Sequence, residues 1–128
     1  MASVVADESL ESEVRRNVGI FFDSKTTLEV RNAVDKWLNS YQLTEKAWGV
    51  SHSLLTRDML VDSTVLYFAA NTLHKKARHD AADLSPVAVD QLLVSILNLC
   101  FSAVPPNVSG RLALAYVALS VHKSTLNS

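Results

Sequence analysis

The stretch VRNAVDKWL, residues 30–38, decides our interpretation of the fold. Its apolar side chains recur at i, i+3, i+4, i+7 and i+8, which is the spacing of one face of an α-helix, and they are Val30, Ala33, Val34, Trp37 and Leu38. The same pattern returns 36 residues later in LYFAANTL, residues 66–73, and 46 residues beyond that in LALAYVAL, residues 112–119. A two-helix unit that repeats at such intervals is typical of a helical solenoid, whose neighbouring units stack to bury their apolar faces.

The rest of the chain divides into helices that complete these units. Thr44 is expected to cap the third helix, with Leu43 packing on Trp48 as a hydrophobic staple, and Ser85-Pro86 is a strong start for the fifth. Pro105-Pro106 ends that helix, and the segment 56–62 links two others. The predicted helices span residues 8–22, 27–41, 44–55, 63–78, 85–104 and 109–123, and the predicted repeats span 8–41, 43–78 and 85–124 of a single domain, 1–128.

Any six amphipathic helices would share the i, i+3, i+4, i+7 pattern, so periodicity by itself leaves a non-repetitive helical fold open. Small residues stand at equivalent places in the three stretches, namely Ala33, Ala69 and Ala115. Close approach of two helices favours a small side chain at the crossing, so these positions favour stacked repeats.

Composition narrows the possible classes of protein. The 128 residues are 48% hydrophobic, contain only three Gly and three Pro, and carry a net charge of −1. Such a balance disfavours direct nucleic-acid binding, which needs a concentrated basic field. The N-terminus lacks the basic start and apolar centre of a signal peptide, and the apolar run 87–104 is too short and too polar for membrane insertion.

We predict that the chain is not an enzyme and uses neither a cofactor nor a metal. The four histidines are scattered without metal-ligand spacing, and we find no phosphate-binding Gly loop or nucleophile elbow. Cys100 lies in an apolar run and is expected to behave as a small hydrophobic residue. The basic run 75–78 resembles a localisation signal, but a basic C-terminal helix turn is the simpler explanation.

Three ordered segments resemble the amino-terminal domain of the importin-β (karyopherin) family. They are AVDKWL at residues 33–38, YQLTEKAW at 41–48 and YFAANTL at 67–73. DLSPV at residues 83–87 and RLALA at 111–115 are similar to the third repeat of the transportin-SR-like branch, which imports splicing factors. The family is built from right-handed solenoids of HEAT repeats, so the resemblance implies an all-α, right-handed helical solenoid of about three HEAT-like two-helix repeats, expected to be part of a longer solenoid.

The resemblance also implies a function and a binding surface. In this family the second helix of each repeat lines a concave face, and the first repeats bind the GTP form of the small GTPase Ran. The corresponding polar residues are the candidate partner-binding positions: Arg31, Asn32, Asp35 and Asn39 on the second helix, and Tyr67, Asn71, His74, Lys75 and Arg78 on the fourth. Protein cargo and nucleoporins are further implied partners, with shuttling between cytoplasm and nucleus.

Simpler interpretations remain beside this one. The polar rows are equally those of a solvated helix face, with local pairs such as Arg31–Asp35 at i, i+4. The alternative function is a general helical scaffold or adaptor unrelated to Ran. The sixth helix is apolar around most of its circumference, so we expect an uncovered apolar surface there, capable of self-association.

Overall fold

Six α-helices account for most of the structure. The computed structural model of the chain describes residues 7–56, 62–102 and 104–126. The helices are α1 Glu8–Phe22, α2 Leu28–Gln42, α3 Lys46–Thr56, α4 Ser63–His79, α5 Pro86–Cys100 and α6 Pro106–Leu126, and a short 3-10 turn, Ala81–Asp83, joins α4 to α5. The expected all-α helical-repeat solenoid is confirmed. Most of the linking segment predicted at residues 56–62 lies outside the described residues, which omit 57–61.

Four helices begin at side-chain caps that satisfy backbone N–H groups of the first turn. The caps are Asp7, Thr27, Asp62 and Ser85, each of which accepts a hydrogen bond from a backbone N–H two or three residues later. The predicted cap and staple of α3 are wrong. The Thr44 hydroxyl donates to the carbonyl of Tyr41 at 2.7 Å and thereby finishes α2, while Leu43 is 81% exposed and cannot cover Trp48.

Consecutive helices pack as pairs, α1 with α2, α3 with α4 and α5 with α6, and the pairs stack in chain order. The most extensive contact joins the second helices of the last two pairs, α4 and α6. Of the three small residues expected at crossings, Ala69 and Ala115 are fully buried, which confirms their role. Ala33 is exposed, because α2 packs on α1 and only slightly on α3.

The apolar stripe of α2 is narrower than its sequence pattern indicated. Val34 and Leu38 are buried as predicted, but Val30 is largely exposed. Trp37 is half-buried and stacks on Tyr41 with ring centroids 6.0 Å apart, and Tyr41 in turn faces Phe68 of α4 at 6.1 Å. Trp48 is fully buried, as expected of a core residue.

The sixth helix has one buried and one uncovered apolar face. Val108, Leu112, Ala115 and Leu119 point into the core and are fully buried. The opposite face exposes Leu114, Val117 and Val121, so the expected uncovered apolar surface is confirmed. None of the described helices is both long enough and apolar enough to cross a membrane.

Candidate partner-binding surface

The polar row predicted on α4 lies together on one face of that helix. Lys75 and Arg78 are exposed, whereas Tyr67, Asn71 and His74 are half-buried. The core side of the same helix buries Ala69, Ala70 and Leu73, as the sequence pattern indicated. The row therefore combines two solvent-exposed cations with three half-buried side chains.

The row on α2 is organised differently from the local pairs that its sequence suggested. Arg31 does not pair with Asp35, because its guanidinium donates to the backbone carbonyl of Asp23 at 3.0 Å. Asp35 instead accepts from the amide of Asn39 at 3.4 Å, and Asn32 is exposed. Arg31 thus fixes the entry of the chain into α2, which leaves Asn32, Asp35 and Asn39 as the accessible part of the row.

The two rows meet at the C-terminal ends of α2 and α4. The ammonium of Lys75 donates to the side-chain oxygen of Gln42 at 3.3 Å. Around this contact lies a cavity of about 270 Å³, and its lining residues are Asn39, Gln42, Leu43, Lys75, Lys76, His79 and Asp80. The polar groups of the first and second repeats therefore form one continuous surface.

Lys76 is the main residue whose burial the sequence did not reveal. It lies in the basic C-terminal turn of α4, as expected, but it is only 2% exposed. Its ammonium donates to the carbonyl of Gln42 at 3.3 Å and to the carboxylate of Asp80 at 3.0 Å, and it lies 5.5 Å from the ring centroid of Trp48. The helical spacing of Lys76 from Ala69 and Leu73 was the signal that could have revealed its inward direction.

A second buried charge, Glu11 on α1, was also missed. It is 2% exposed, accepts from the guanidinium of Arg15 at 3.0 Å and accepts from the hydroxyl of Ser53 on α3 at 3.0 Å. Its spacing of i+3 and i+7 to Val14 and Val18 places it on the buried stripe. Glu11 and Lys76 are therefore structural charges that join repeats, while the exposed charges of the row remain available to partners.

Arg111 of α6 extends the α4 row into the third repeat. Its guanidinium donates to the Tyr67 hydroxyl at 3.2 Å and lies 5.8 Å from the centre of that ring. Burial lowers the pKa of His74, and the positive charges of Arg111, Arg78 and His79 lower it further. Two arginine side chains therefore lie near the His74 imidazole, where α4 and α6 meet.

Outside this surface, the His, Cys, Asp and Glu side chains in the described part of the chain do not form a metal-binding cluster. Over the ranges that the structure describes, no three His, Cys, Asp or Glu side chains stand close enough to hold a metal ion. Cys100 is half-buried, and burial raises the pKa of its thiol. His52 of α3 hydrogen-bonds to Ser95 of α5 at 2.6 Å, and burial lowers its pKa.

Comparison with known proteins finds a similarity to one transportin. The chain is similar to transportin MOS14 of Arabidopsis thaliana, with 36% identity over 95 residues. The match covers 73% of this chain but only 10% of the length of that relative. No protein-family model matches the chain. The similarity supports a relationship to the importin-β/transportin-like proteins at the level of the family, without singling out a branch.

Proposed function

We propose that the chain acts as an importin- or transportin-like N-terminal module that binds the GTP form of Ran and thereby supports nucleocytoplasmic transport of protein cargo. It works by binding and carries out no catalysis. Cargo proteins, and nucleoporins in a full-length receptor, are the further partners, and the module shuttles between cytoplasm and nucleus. The similarity to a transportin within an all-α repeat fold supports this function.

The polar surface formed by α2 and α4 is our proposed contact surface for the GTPase. It offers hydrogen-bonding groups and charges of both signs, among them Asp35, Asn71, Lys75 and Arg78, on consecutive second helices. Mixed charges of this kind suit a folded protein partner better than a uniformly charged polymer. Solenoids commonly bind partners along such stacked helices.

A titration of GTP-locked Ran against the purified chain tests the proposal. We expect weak binding, since three repeats lack the avidity of a long arch. The double variant Asn71→Ala with Lys75→Glu should weaken binding roughly tenfold, a loss of about 1.4 kcal/mol. Arg16→Glu is the matched control, because Arg16 is exposed on α1, outside the proposed contact surface; binding should change by less than about twofold.

Two outcomes would contradict the assignment. A well-folded sample that shows no measurable binding to GTP-locked Ran excludes GTPase binding by this chain. Equal loss in the double variant and in the control would mean that binding does not use the surface formed by α2 and α4. If the chain does not bind GTP-locked Ran, recovery of vesicle-coat proteins or kinases with it in a pull-down would favour the scaffold or adaptor function.

The uncovered apolar face of α6 supports a role in self-association as a secondary property. Leu114, Val117 and Val121 lie at helical spacing and are all substantially exposed. Light scattering across a concentration series tests this property, with Val117→Glu as the variant that should abolish any dimer. A monomer over the whole series would exclude self-association.

A further inference from the structure

A groove of about 430 Å³ runs between the C-terminal halves of α4 and α6 and ends at the 3-10 turn. Its floor is apolar and consists of Ala77, Ala81, Ala82, Ala118 and Val121. Arg78 and His79 from α4 and His122 from α6 line it with cationic or protonatable groups, and Thr125 completes the lining. None of these lining residues is a carboxylate.

The positive character of the groove continues along the two helices toward their other ends. Arg111, about three turns before His122 on the same helix and outside the groove lining, lies against Tyr67 and lowers the pKa of His74. The Nδ1 atom of His74 is buried and has no hydrogen-bond partner. The α4–α6 surface therefore carries two arginines and an imidazole whose polar atom is unsatisfied.

Three acidic residues on the surrounding elements, Asp80, Asp83 and Asp90, do not line the groove. Asp80 is bound to the buried Lys76 at 3.0 Å, so its charge is already compensated. Asp83, at the end of the 3-10 turn, does not line the groove. Asp90 pairs with Lys123 at 2.8 Å, in a contact between α5 and α6. The charge of Arg78 and Arg111 is consequently available to a ligand of opposite sign.

We propose that the groove between α4 and α6 is a docking site for an acidic protein segment, whose carboxylates lie against Arg78, His122 and Arg111 and whose apolar side chains pack on the alanine floor. The small floor residues leave room for an aliphatic side chain between the cationic groups. A single-stranded nucleic acid fits less well, because the lining contains no Phe, Tyr or Trp ring for base stacking. The proposal holds for any acidic partner and does not depend on binding of the GTPase.

Fluorescence anisotropy with labelled peptides tests the proposal without the GTPase. The probe is a peptide of about twelve residues in which glutamates are interspersed with leucines, and the comparison peptide has lysine at every glutamate. A single-stranded RNA of similar length forms the third arm. We expect the acidic peptide alone to bind, with an affinity that falls as ionic strength rises, because salt screens exposed charges.

Substitutions that remove or reverse a charge test whether the acidic peptide binds in the groove. Arg78→Glu should weaken binding of the acidic peptide at least tenfold, and Arg111→Gln should weaken it severalfold. Arg16→Glu, the same charge change on α1, should alter it by less than about twofold. Circular dichroism melting checks that each variant is folded; Arg78 is exposed, so its replacement leaves the core intact.

Three results would overturn the proposal. Binding that is unchanged in a folded Arg78→Glu variant would place the acidic peptide elsewhere. An equal loss of binding in Arg16→Glu would show that the acidic peptide is attracted by the overall charge of the protein and not by the groove. Tighter binding of the RNA than of the acidic peptide would assign the groove to phosphate groups instead of carboxylates.

Discussion

The two junctions between successive repeats are built on different principles. Where the first repeat meets the second, buried polar groups cross the boundary: Gln42 donates to Thr72 at 2.8 Å, Lys76 donates to the Gln42 carbonyl, and Ser53 donates to Glu11. Where the second meets the third, α4 and α6 form the most extensive helix contact of the molecule. Their buried apolar residues are alanines, leucines and valines. The polar contacts that cross this junction, Arg111 with Tyr67 and His52 with Ser95, are only part-buried.

The first junction therefore depends on specific hydrogen-bond partners, whereas the second depends on close packing of two helices. A buried hydrogen bond has a fixed partner and geometry, and its loss leaves an unsatisfied group that destabilises the folded state. An alanine-lined contact depends on helix distance and on the volume of the facing side chains. We therefore expect the first junction to respond to polar substitutions and the second to respond to changes in side-chain size.

The largest effect is expected from Leu112→Ala in α6. Leu112 is fully buried, so its truncation leaves a cavity and should lower the free energy of unfolding by about 2–5 kcal/mol. Leu114→Ala is the matched control on the same helix, because Leu114 is 47% exposed, and it should change stability by less than about 1 kcal/mol. Urea unfolding followed by circular dichroism measures both. Similar losses in the two variants would contradict the packing described for the second junction.

A smaller effect is expected from Lys76→Met at the first junction. Methionine keeps the aliphatic stem but removes the donor to the Gln42 carbonyl and to Asp80, which should cost about 1–3 kcal/mol of unfolding free energy. Lys75→Met, one residue away and exposed, should cost less than about 0.5 kcal/mol. Equal values for the two lysines would show that the buried ammonium contributes nothing to the junction.

The smallest effect concerns pH and the contact between α3 and α5. Burial lowers the pKa of His52 below its usual 6.5, so the unfolded chain binds the proton more readily than the folded one. The stability contributed by neutral His52 is complete above pH 6.5 and is lost as the pH falls toward its lower folded-state pKa. Unfolding free energies measured from pH 7.5 to 5 should therefore decline less steeply in His52→Gln than in the unmodified chain.

The pKa of His74 is also lowered, so its protonation likewise reduces the free energy of unfolding as the pH falls. Some loss of stability at acidic pH should therefore persist in His52→Gln. His122→Gln, near the end of α6, serves as the control and should leave the contribution of His52 in place. A pH profile that is identical with and without His52 would contradict a destabilising protonation at this contact.

Helix positions were predictable because they depend on local chemistry. The Asp62 cap of α4 and the predicted Ser85-Pro86 start of α5 act within one turn of the chain, and both helices begin there. The predicted end of α5 at Pro105-Pro106 was too late, because α5 ends at Cys100 and Pro106 is the first residue of α6. The candidate residues of α4 share a face because helical periodicity alone decides it. The predicted start of α3 was wrong, since the Thr44 hydroxyl had a competing acceptor at the end of α2.

Contacts between repeats were not predictable in the same way. The burial of Lys76 requires both the Gln42 carbonyl and Trp48 beside it, and these residues stand 34 and 28 positions earlier in the sequence. The exposure of Val30 and Ala33 likewise depends on which helices pack on α2. The basic groove between α4 and α6 combines residues 78 and 122, which no local pattern relates.

By itself, the sequence determined that this protein is a stack of amphipathic helices, and it determined where most of them begin and which faces are apolar, because those properties follow from periodicity and capping. The tertiary structure alone decided which charges are buried, how the two junctions differ, and where a positively charged groove opens. The physical reason is that desolvation and hydrogen-bond partners depend on side chains brought together from distant repeats, whereas helix formation depends on neighbours within one or two turns.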